Sequence, residues 1–366
     1  MSLNETIFLT GFPGFIAGRL VKRLLASDAR LLLLVQPAFA ERARADLLRL
    51  ARETDASPGS FLILEGDITQ PALGLSGREL EIARRETTTL FHLAALYDLA
   101  VARDVAMRVN VEGTRNVNRL AETLPRLRRY HYVSTCYVAG RRAGLIRETE
   151  LRHTAGFRNY YEESKYLAEV EVEALKSCLP VTIHRPAVVC GDSQTGETGK
   201  YDGIYYLMEY LCKWPGLLSL FNIGNRAVSL NVVPVDYVVE AMAALVKEER
   251  AIGATVHLSD PNPLTSYDLF ETLARAIAGR GSRFAVPAPL VRLMLSVPCS
   301  GMITSLPREG VPYFIIKQTY DTSQARSLLE PHAVRCPSFS SYADALVRFL
   351  ACREHHVGMA LSRLDC

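Results

Sequence analysis

The chain has 366 residues, 49% of them hydrophobic, and its 42 basic and 39 acidic side chains leave a formal charge of only +3. That length exceeds what one compact core holds and calls for a main domain with a smaller second one. Basic residues are spread among acids, which excludes a nucleic-acid tract, and the longest uncharged stretch, Leu293 to Pro307, is too short and too proline-rich to span a bilayer.

Thr6 to Thr10 (TIFLT) reads as a strand and Phe15 to Leu25 as a helix, with Gly11-Phe-Pro-Gly14 between them. Strand, glycine turn and helix in that order suit a dinucleotide pyrophosphate. Gly11 permits the sharp bend, Gly14 lets the backbone approach the phosphates, and the helix start offers N–H groups and a positive dipole end. Ala17, next to Gly18, lets the helix lie close to the sheet. Arg30 to Val35 is a continuous apolar run, as in a strand buried on both faces, and a helix follows over Ala40 to Arg52.

Further strands are predicted at Phe61 to Glu65, Thr88 to His92, Tyr130 to Ser134 and Val181 to His184. Long helices are predicted from about Val101 to Leu124 and from Tyr160 to Lys176. The alternation predicts an α/β fold with a doubly wound parallel sheet. From Gly191 the pattern loosens into a Gly/Thr/Asp-rich loop and the aromatic-rich stretch Tyr201 to Phe221, where a substrate cap would begin. The chain returns to the core with a strand over Ala227 to Val233, a helix over Asp236 to Lys247 and a strand over Ala254 to Ser259. A helix capped by Thr265 or Ser266 follows. The expected division is a dinucleotide-binding domain over residues 1–190, completed by about 226–259, and a smaller, mostly helical substrate-binding region over 191–225 and 260–366.

Tyr161 and Lys165 lie one turn apart on a single helix face. A neighbouring ammonium stabilises phenolate and lowers a tyrosine pKa from its reference of about 10, which suits an acid or base near neutral pH. Tyr160 is a weaker candidate, because the residue four positions on is Ser164. At the end of the second strand stands Gln36-Pro37, with no carboxylate to accept from a ribose 2′-hydroxyl or to repel a 2′-phosphate; Arg42 and Arg44 follow in reach. This favours NADP, with NAD held by Gln36 as the alternative.

None of the eight cysteines is paired as C-x-x-C, and no signal pattern opens the chain, so a reduced, cytoplasmic protein without a metal is expected. His92 and His184, each at the end of an apolar strand, read as core histidines. Cys136 lacks a local base and points away from its neighbour Thr135 by strand alternation, which speaks against a nucleophilic role.

The order of Thr10-Gly-Phe-Pro-Gly14-Phe-Ile, Gly66-Asp67-Ile68, Phe91-His-Leu-Ala-Ala95, Asn110-Val-Glu-Gly-Thr114, Tyr132-Val-Ser-Thr135, Tyr161-x-x-x-Lys165, His184-Arg-Pro186 and Asn231-Val-Val-Pro-Val-Asp236 resembles the extended short-chain dehydrogenase/reductase superfamily. The wording VSTCYVAG and YYEESKYLAE is most similar to its thioester-reductase and fatty-acyl-reductase (male-sterility type) branch. The resemblance implies cofactor contacts at Gly11, Phe12, Pro13, Gly14, Phe15, Ile16, Gln36, Arg42, Asp67, Ile68, Leu93, Ala94, Ala95, Pro186, Val188 and Val189. It implies Thr135, or Ser134, as the hydroxyl that holds the substrate oxygen, and Tyr161 as the proton donor. Lys165 would bind the nicotinamide ribose and depress the tyrosine pKa, and Asn110 would support the lysine through water or backbone, its alternative being a local structural hydrogen bond. Asp67 would meet the adenine amino group.

The implied activity is NAD(P)-dependent reduction of an acyl thioester, aldehyde or ketone. The alternatives are nucleotide-sugar epimerisation or dehydration, hydroxysteroid-type dehydrogenation on the same scaffold, and a non-catalytic NADP sensor. Tyr201 to Phe221, with Leu293 to Leu306 as a second wall, would line an apolar pocket for an acyl chain or ring. No adenylation or carrier segment is read beside these motifs, so a thioester would arrive from coenzyme A or a separate carrier protein. Pairing of two copies through the helices of Asn110 and Tyr161 is a further implication of the resemblance.

Overall fold

The computed structural model describes residues 5–27, 29–287, 290, 313 and 316–362, with side chains described except at 58 and 352–362. Its centre is a seven-stranded parallel sheet of β1 (Thr6–Thr10), β2 (Arg30–Val35), β3 (Phe61–Glu65), β4 (Thr89–His92), β5 (Arg129–Val133), β6 (Val181–Pro186) and β7 (Thr255–Leu258). The order across the sheet is β3-β2-β1-β4-β5-β6-β7. Alternate residues of the apolar runs feed two cores. Leu9, Leu31 and Leu33 pack with helix Phe15–Leu25 and helix Val235–Leu245 on one face. Phe8, Leu32 and Leu34 pack with helices Gly113–Glu122 and Tyr160–Ala174 on the other. Each such leucine, fully buried, stabilises the fold by about 1.5–3 kcal/mol.

From β1 the chain winds outward through β2 to β3, then crosses back to β4 on the far side of β1. Strands diverge at that switch point, and a crevice opens above the carboxyl ends of β1 and β4.

The predicted long helix is present as Arg103–Ala106, Met107–Glu112 and Gly113–Glu122, with the middle segment wound as a π turn around Asn110. Thr265, rather than Ser266, caps helix Ser266–Ala278, its side chain accepting from the Asp268 N–H. The strand expected over Ala227 to Val233 is confined to Val232–Pro234, paired in parallel with Val188–Cys190. Its upstream half bonds elsewhere, through one side chain and through backbone. Asn231 bonds the backbone of Asp260 through both amide atoms, and Ser229 bridges Thr265.

A third core joins Tyr205, Met208 and Leu211 of helix Ile204–Lys213 to Phe270 and Leu273 and to Tyr342 and Leu346 of the C-terminal helix. The tail is also tied to the sheet. Gln318–Tyr320 pairs with Gly144–Ile146, and the buried Glu148 carboxylate accepts from the N–H groups of His257, Gln324 and Ala325. Among the described residues no helix is long and apolar enough to cross a membrane.

Candidate active site

The glycine turn lies at the mouth of the crevice. Gly11 has φ +97, and a Cβ there would stand 2.8 Å from Ala94 N and 2.9 Å from the Leu93 carbonyl carbon. Only glycine fits both the backbone angle and the approach of the β4 strand end. A Cβ on Gly14 would lie 2.7 Å from Gly11 O, the atom that accepts from Gly14 N–H at 2.8 Å. Such a cradle fits a pyrophosphate lying against bare backbone at the start of helix Phe15–Leu25. Thr10 holds the other side: its hydroxyl accepts from Ala94 N–H at 3.1 Å and meets His92 Nδ1 at 2.8 Å. His92 bonds Thr114 through its other nitrogen at 3.0 Å, and burial pushes its pKa down to about 3. It is a neutral core residue, as is the fully buried His184.

One cavity of about 640 Å³ runs from this turn to Tyr161. Its wall contains Gly11, Phe12, Pro13, Gly14, Phe15, Ile16, Gln36, Arg42, Ile68, Leu93, Ala94, Ala95, Pro186, Val188 and Val189, together with Thr135, Tyr161 and Lys165. Asp67 is not on that wall, whereas its neighbours Gly66 and Ile68 are. Its carboxylate is engaged elsewhere, accepting from Gln36 Nε2 at 2.9 Å and from Thr69 N–H at 2.8 Å. The two expected arginines also part company. Arg44 is clamped by Glu41 at 2.6 Å and by Glu65, while Arg42 lines the cavity with a 69% exposed side chain 3.6 Å from Asp46.

At the far end Tyr161 is buried, and the Thr135 side chain acts on its phenol. Thr135 Oγ1 accepts from Tyr137 N–H at 3.2 Å. The alternative hydroxyl, Ser134, donates to Glu169 and belongs to a buried network. The expected depression of the Tyr161 pKa by Lys165 is not what the structure shows. Burial pushes the phenol well above its ordinary value, the Thr135 side chain pulls it back, and the Asp202 carboxylate pushes it further up. Lys165 instead donates to Tyr132 Oη at 3.0 Å and Val133 O at 2.8 Å, and burial lowers its pKa to about 7. The Asn110 side chain makes no direct hydrogen bond to Lys165. It donates to Leu96 O at 3.1 Å and Ser164 Oγ at 2.9 Å and accepts from Leu96 N–H at 2.8 Å, pinning the loop after β4 to the helix of Tyr161.

One reading is corrected here. The aromatic stretch does not form the wall: Tyr205, Met208 and Tyr210 are buried in the third core, and Trp214 and Phe221 face outward. The expected second wall, Leu293 to Leu306, lies outside the described residues. Among the described residues, the substrate end is lined by Leu96, Tyr97, Tyr137, Lys200 and Asp202. Cys136 is fully buried behind the strand end, its Sγ donating to Arg185 O at 3.1 Å and its thiol pKa raised by burial. Among the described residues no three His, Cys, Asp or Glu side chains are placed to hold a metal.

The family model described as male sterility protein matches residues 9–242. The chain belongs to this family. As a member it is an extended short-chain dehydrogenase/reductase, an oxidoreductase of the NAD(P)-dependent class. A linear gramicidin synthase polypeptide of Brevibacillus parabrevis is 28% identical over 288 residues, which are 76% of this chain and 5% of that protein. Fatty acyl-CoA reductase wat of Drosophila melanogaster is 27% identical over 66% of this chain and 54% of its own length. The chain thus spans at most about half of either curated relative. The terminal R domain from the myxalamid PKS-NRPS biosynthetic pathway superposes with a TM-score of 0.79 at 26% identity, covering 96% of this chain and 91% of its own. UDP-glucuronic acid 4-epimerase from Bacillus cereus in complex with NAD has a TM-score of 0.65 at 18% identity over 94% and 96% of the two chains, a likeness of fold.

Proposed function

We propose that this chain reduces an acyl thioester, or the aldehyde or ketone derived from one, with NADPH, Tyr161 supplying the proton. The observation that carries the reading is one cavity with a phosphate cradle at one end and Tyr161 and Thr135 at the other. The fatty acyl-CoA reductase among its relatives supports the substrate class. Bound NADPH supplies a hydride for the carbonyl carbon. Tyr161, protonated at neutral pH because burial raises its pKa, gives its proton to the carbonyl oxygen. Thr135, already accepting from Tyr137, has its own hydroxyl proton to donate to the oxygen as charge develops. The first product of a thioester is a hemithioacetal; loss of the thiol leaves the aldehyde. One NADPH and one proton are consumed per aldehyde and thiol formed. Residues 191–225 and 260–366 supply the substrate side in this reading, with Lys200 and Asp202 their contribution to the wall.

The test is NADPH oxidation with short and medium-chain acyl thioesters and aldehydes, beside UDP-sugars and a sterol alcohol with oxidised cofactor. Turnover of thioester or aldehyde is expected. Activity confined to a UDP-sugar or to the sterol transfers the chain to the corresponding alternative, and NADPH binding without any turnover supports a sensor.

Two predictions arise for the cofactor. Because Arg42 alone of the two arginines lines the cavity, Arg42→Ala should weaken NADPH binding about tenfold, or about 1.4 kcal/mol, and leave NADH unchanged. Arg44→Ala should be silent, and equal effects of both variants in a fluorescence titration contradict the assignment. The second concerns Lys165. With a pKa of about 7 it is mostly neutral at pH 8, and the anionic cofactor favours the ammonium form. NADPH binding at pH 8 should therefore take up a fraction of a proton, read as buffer-dependent enthalpy in phosphate and Tris, and Lys165→Met should abolish it. Equal enthalpies, corrected for dilution, contradict the prediction.

A further inference from the structure

Two charged side chains share the substrate end of the cavity with Tyr161. Lys200 and Asp202 lie on the loop between Val188–Cys190 and helix Ile204–Lys213, and both line the wall. Lys200 Nζ stands 3.1 Å from Asp202 Oδ2 and 3.1 Å from the centre of the Tyr97 ring. Tyr97 in turn meets Tyr161 edge-on, with ring centroids 4.7 Å apart. The pair is therefore one aromatic ring away from the proton donor. Asp202 also acts on Tyr161 electrostatically, pushing its pKa upward. The loop holds the pair in place: Thr198 Oγ1 accepts from Lys200 N–H at 3.1 Å and donates to Lys200 O at 2.9 Å.

The chemistry of the pair is that of a neutral donor and acceptor set. An ammonium has three N–H bonds, and with one directed at Asp202 and one at the Tyr97 face a third can be donated to a ligand. A carboxylate can accept several hydrogen bonds, so Asp202 retains acceptor capacity beyond Lys200. An anionic ligand meets Asp202 as a repulsive neighbour, and a cationic one meets Lys200. An amide chain satisfies both. In one trans amide C=O and N–H point apart, so side-by-side partners suit the carbonyl of one amide and the N–H of the next.

We propose that Lys200 and Asp202 form a subsite for an amide-bearing chain of the substrate, a carbonyl accepting from Lys200 and an N–H donating to Asp202. The inference rests on the thioester-reductase reading above. The same chemistry has two sources, the two-amide arm of a pantetheine-type thiol and a peptide-like acyl group, and the test separates them.

Octanoyl thioesters of propanethiol, N-acetylcysteamine and pantetheine carry no, one and two amides in the thiol arm. A propyl thioester of an N-acetyl dipeptide places the amides in the acyl arm. The kcat/KM for NADPH-dependent reduction should rise tenfold or more over propyl octanethioate in one of the two arms, and that arm identifies the source. Lys200→Met and Asp202→Asn should each bring this ratio toward one, and Lys200→Arg should retain part of it. Octanal serves as the amide-free control for folding and hydride transfer. Ratios near one in both arms, or ratios that survive both variants while octanal is reduced, overturn the subsite alone. Failure to reduce any thioester or octanal overturns the reductase reading and the subsite with it.

Discussion

Tyr161→Phe should lower turnover by about 100-fold or more while NADPH affinity stays within a factor of about two. The substitution keeps the ring that packs against Tyr97 and removes only the hydroxyl. Thr135 retains its bond from Tyr137 N–H, so the strand end keeps its local anchor. A folded protein that binds cofactor and does not transfer the proton is the expected phenotype. The raised pKa of Tyr161 also sets a direction: the proton donor is intact through neutral pH, and only at strongly alkaline pH should its loss slow reduction. Unchanged turnover in the phenylalanine variant, with any accepted substrate, removes Tyr161 from the reaction.

Arg185→Met should destabilise the fold by about 3–5 kcal/mol, a large part of the roughly 5–15 kcal/mol that holds a domain folded. Arg185 and Glu169 have side-chain exposures of 1% and 0%, and Arg185 Nε donates to Glu169 at 2.8 Å. Arg185 also donates to the backbone carbonyls of Glu148 and Glu150. Removing the guanidinium leaves the buried Glu169 carboxylate and the Glu148 carbonyl without that partner, at a cost that burial prevents water from offsetting. Because Ser134 donates to the same Glu169 carboxylate, the strand end that carries Thr135 should loosen too. Chemical denaturation measures the loss, and a change below about 1 kcal/mol contradicts the role given to this pair. A double variant, Arg185→Met with Glu169→Leu, should recover part of the stability, since it leaves no buried charge unpaired.

Much of the fold was legible because its determinants are local. RLLLLV is apolar at every position after its arginine and could be only a two-faced buried segment, and Gly11 and Gly14 sit where the chain must bend between strand and helix. Tyr161, Lys165 and Thr135 were located by their order along the chain. The wall around them came from distant loops and carried no periodic signal. Tyr97 and Lys200 are about a hundred residues apart, and the approach of one to the other exists only in the folded chain. Arg44 looked equivalent to Arg42 until Glu65, at the end of β3, claimed it. Lys165 looked like a partner of Tyr161 by helical spacing, yet the carbonyl of Val133 and the hydroxyl of Tyr132 take its ammonium. The aromatic stretch did carry a usable signal. Ile204, Tyr205, Met208 and Leu211 recur at helical spacing, the pattern of a buried helix face and not of a cavity wall.

The most direct measurement is the fate of a deuterium placed on the transferable position of the NADPH nicotinamide. With an acyl thioester as substrate, mass spectrometry should find one deuterium on the former carbonyl carbon of the aldehyde for each cofactor oxidised, together with one equivalent of free thiol. An alcohol formed from that aldehyde should carry two. Cofactor oxidation without deuterium in the product, or a UDP-sugar isomerised with no net loss of cofactor, contradicts hydride transfer to a thioester carbonyl in this cavity.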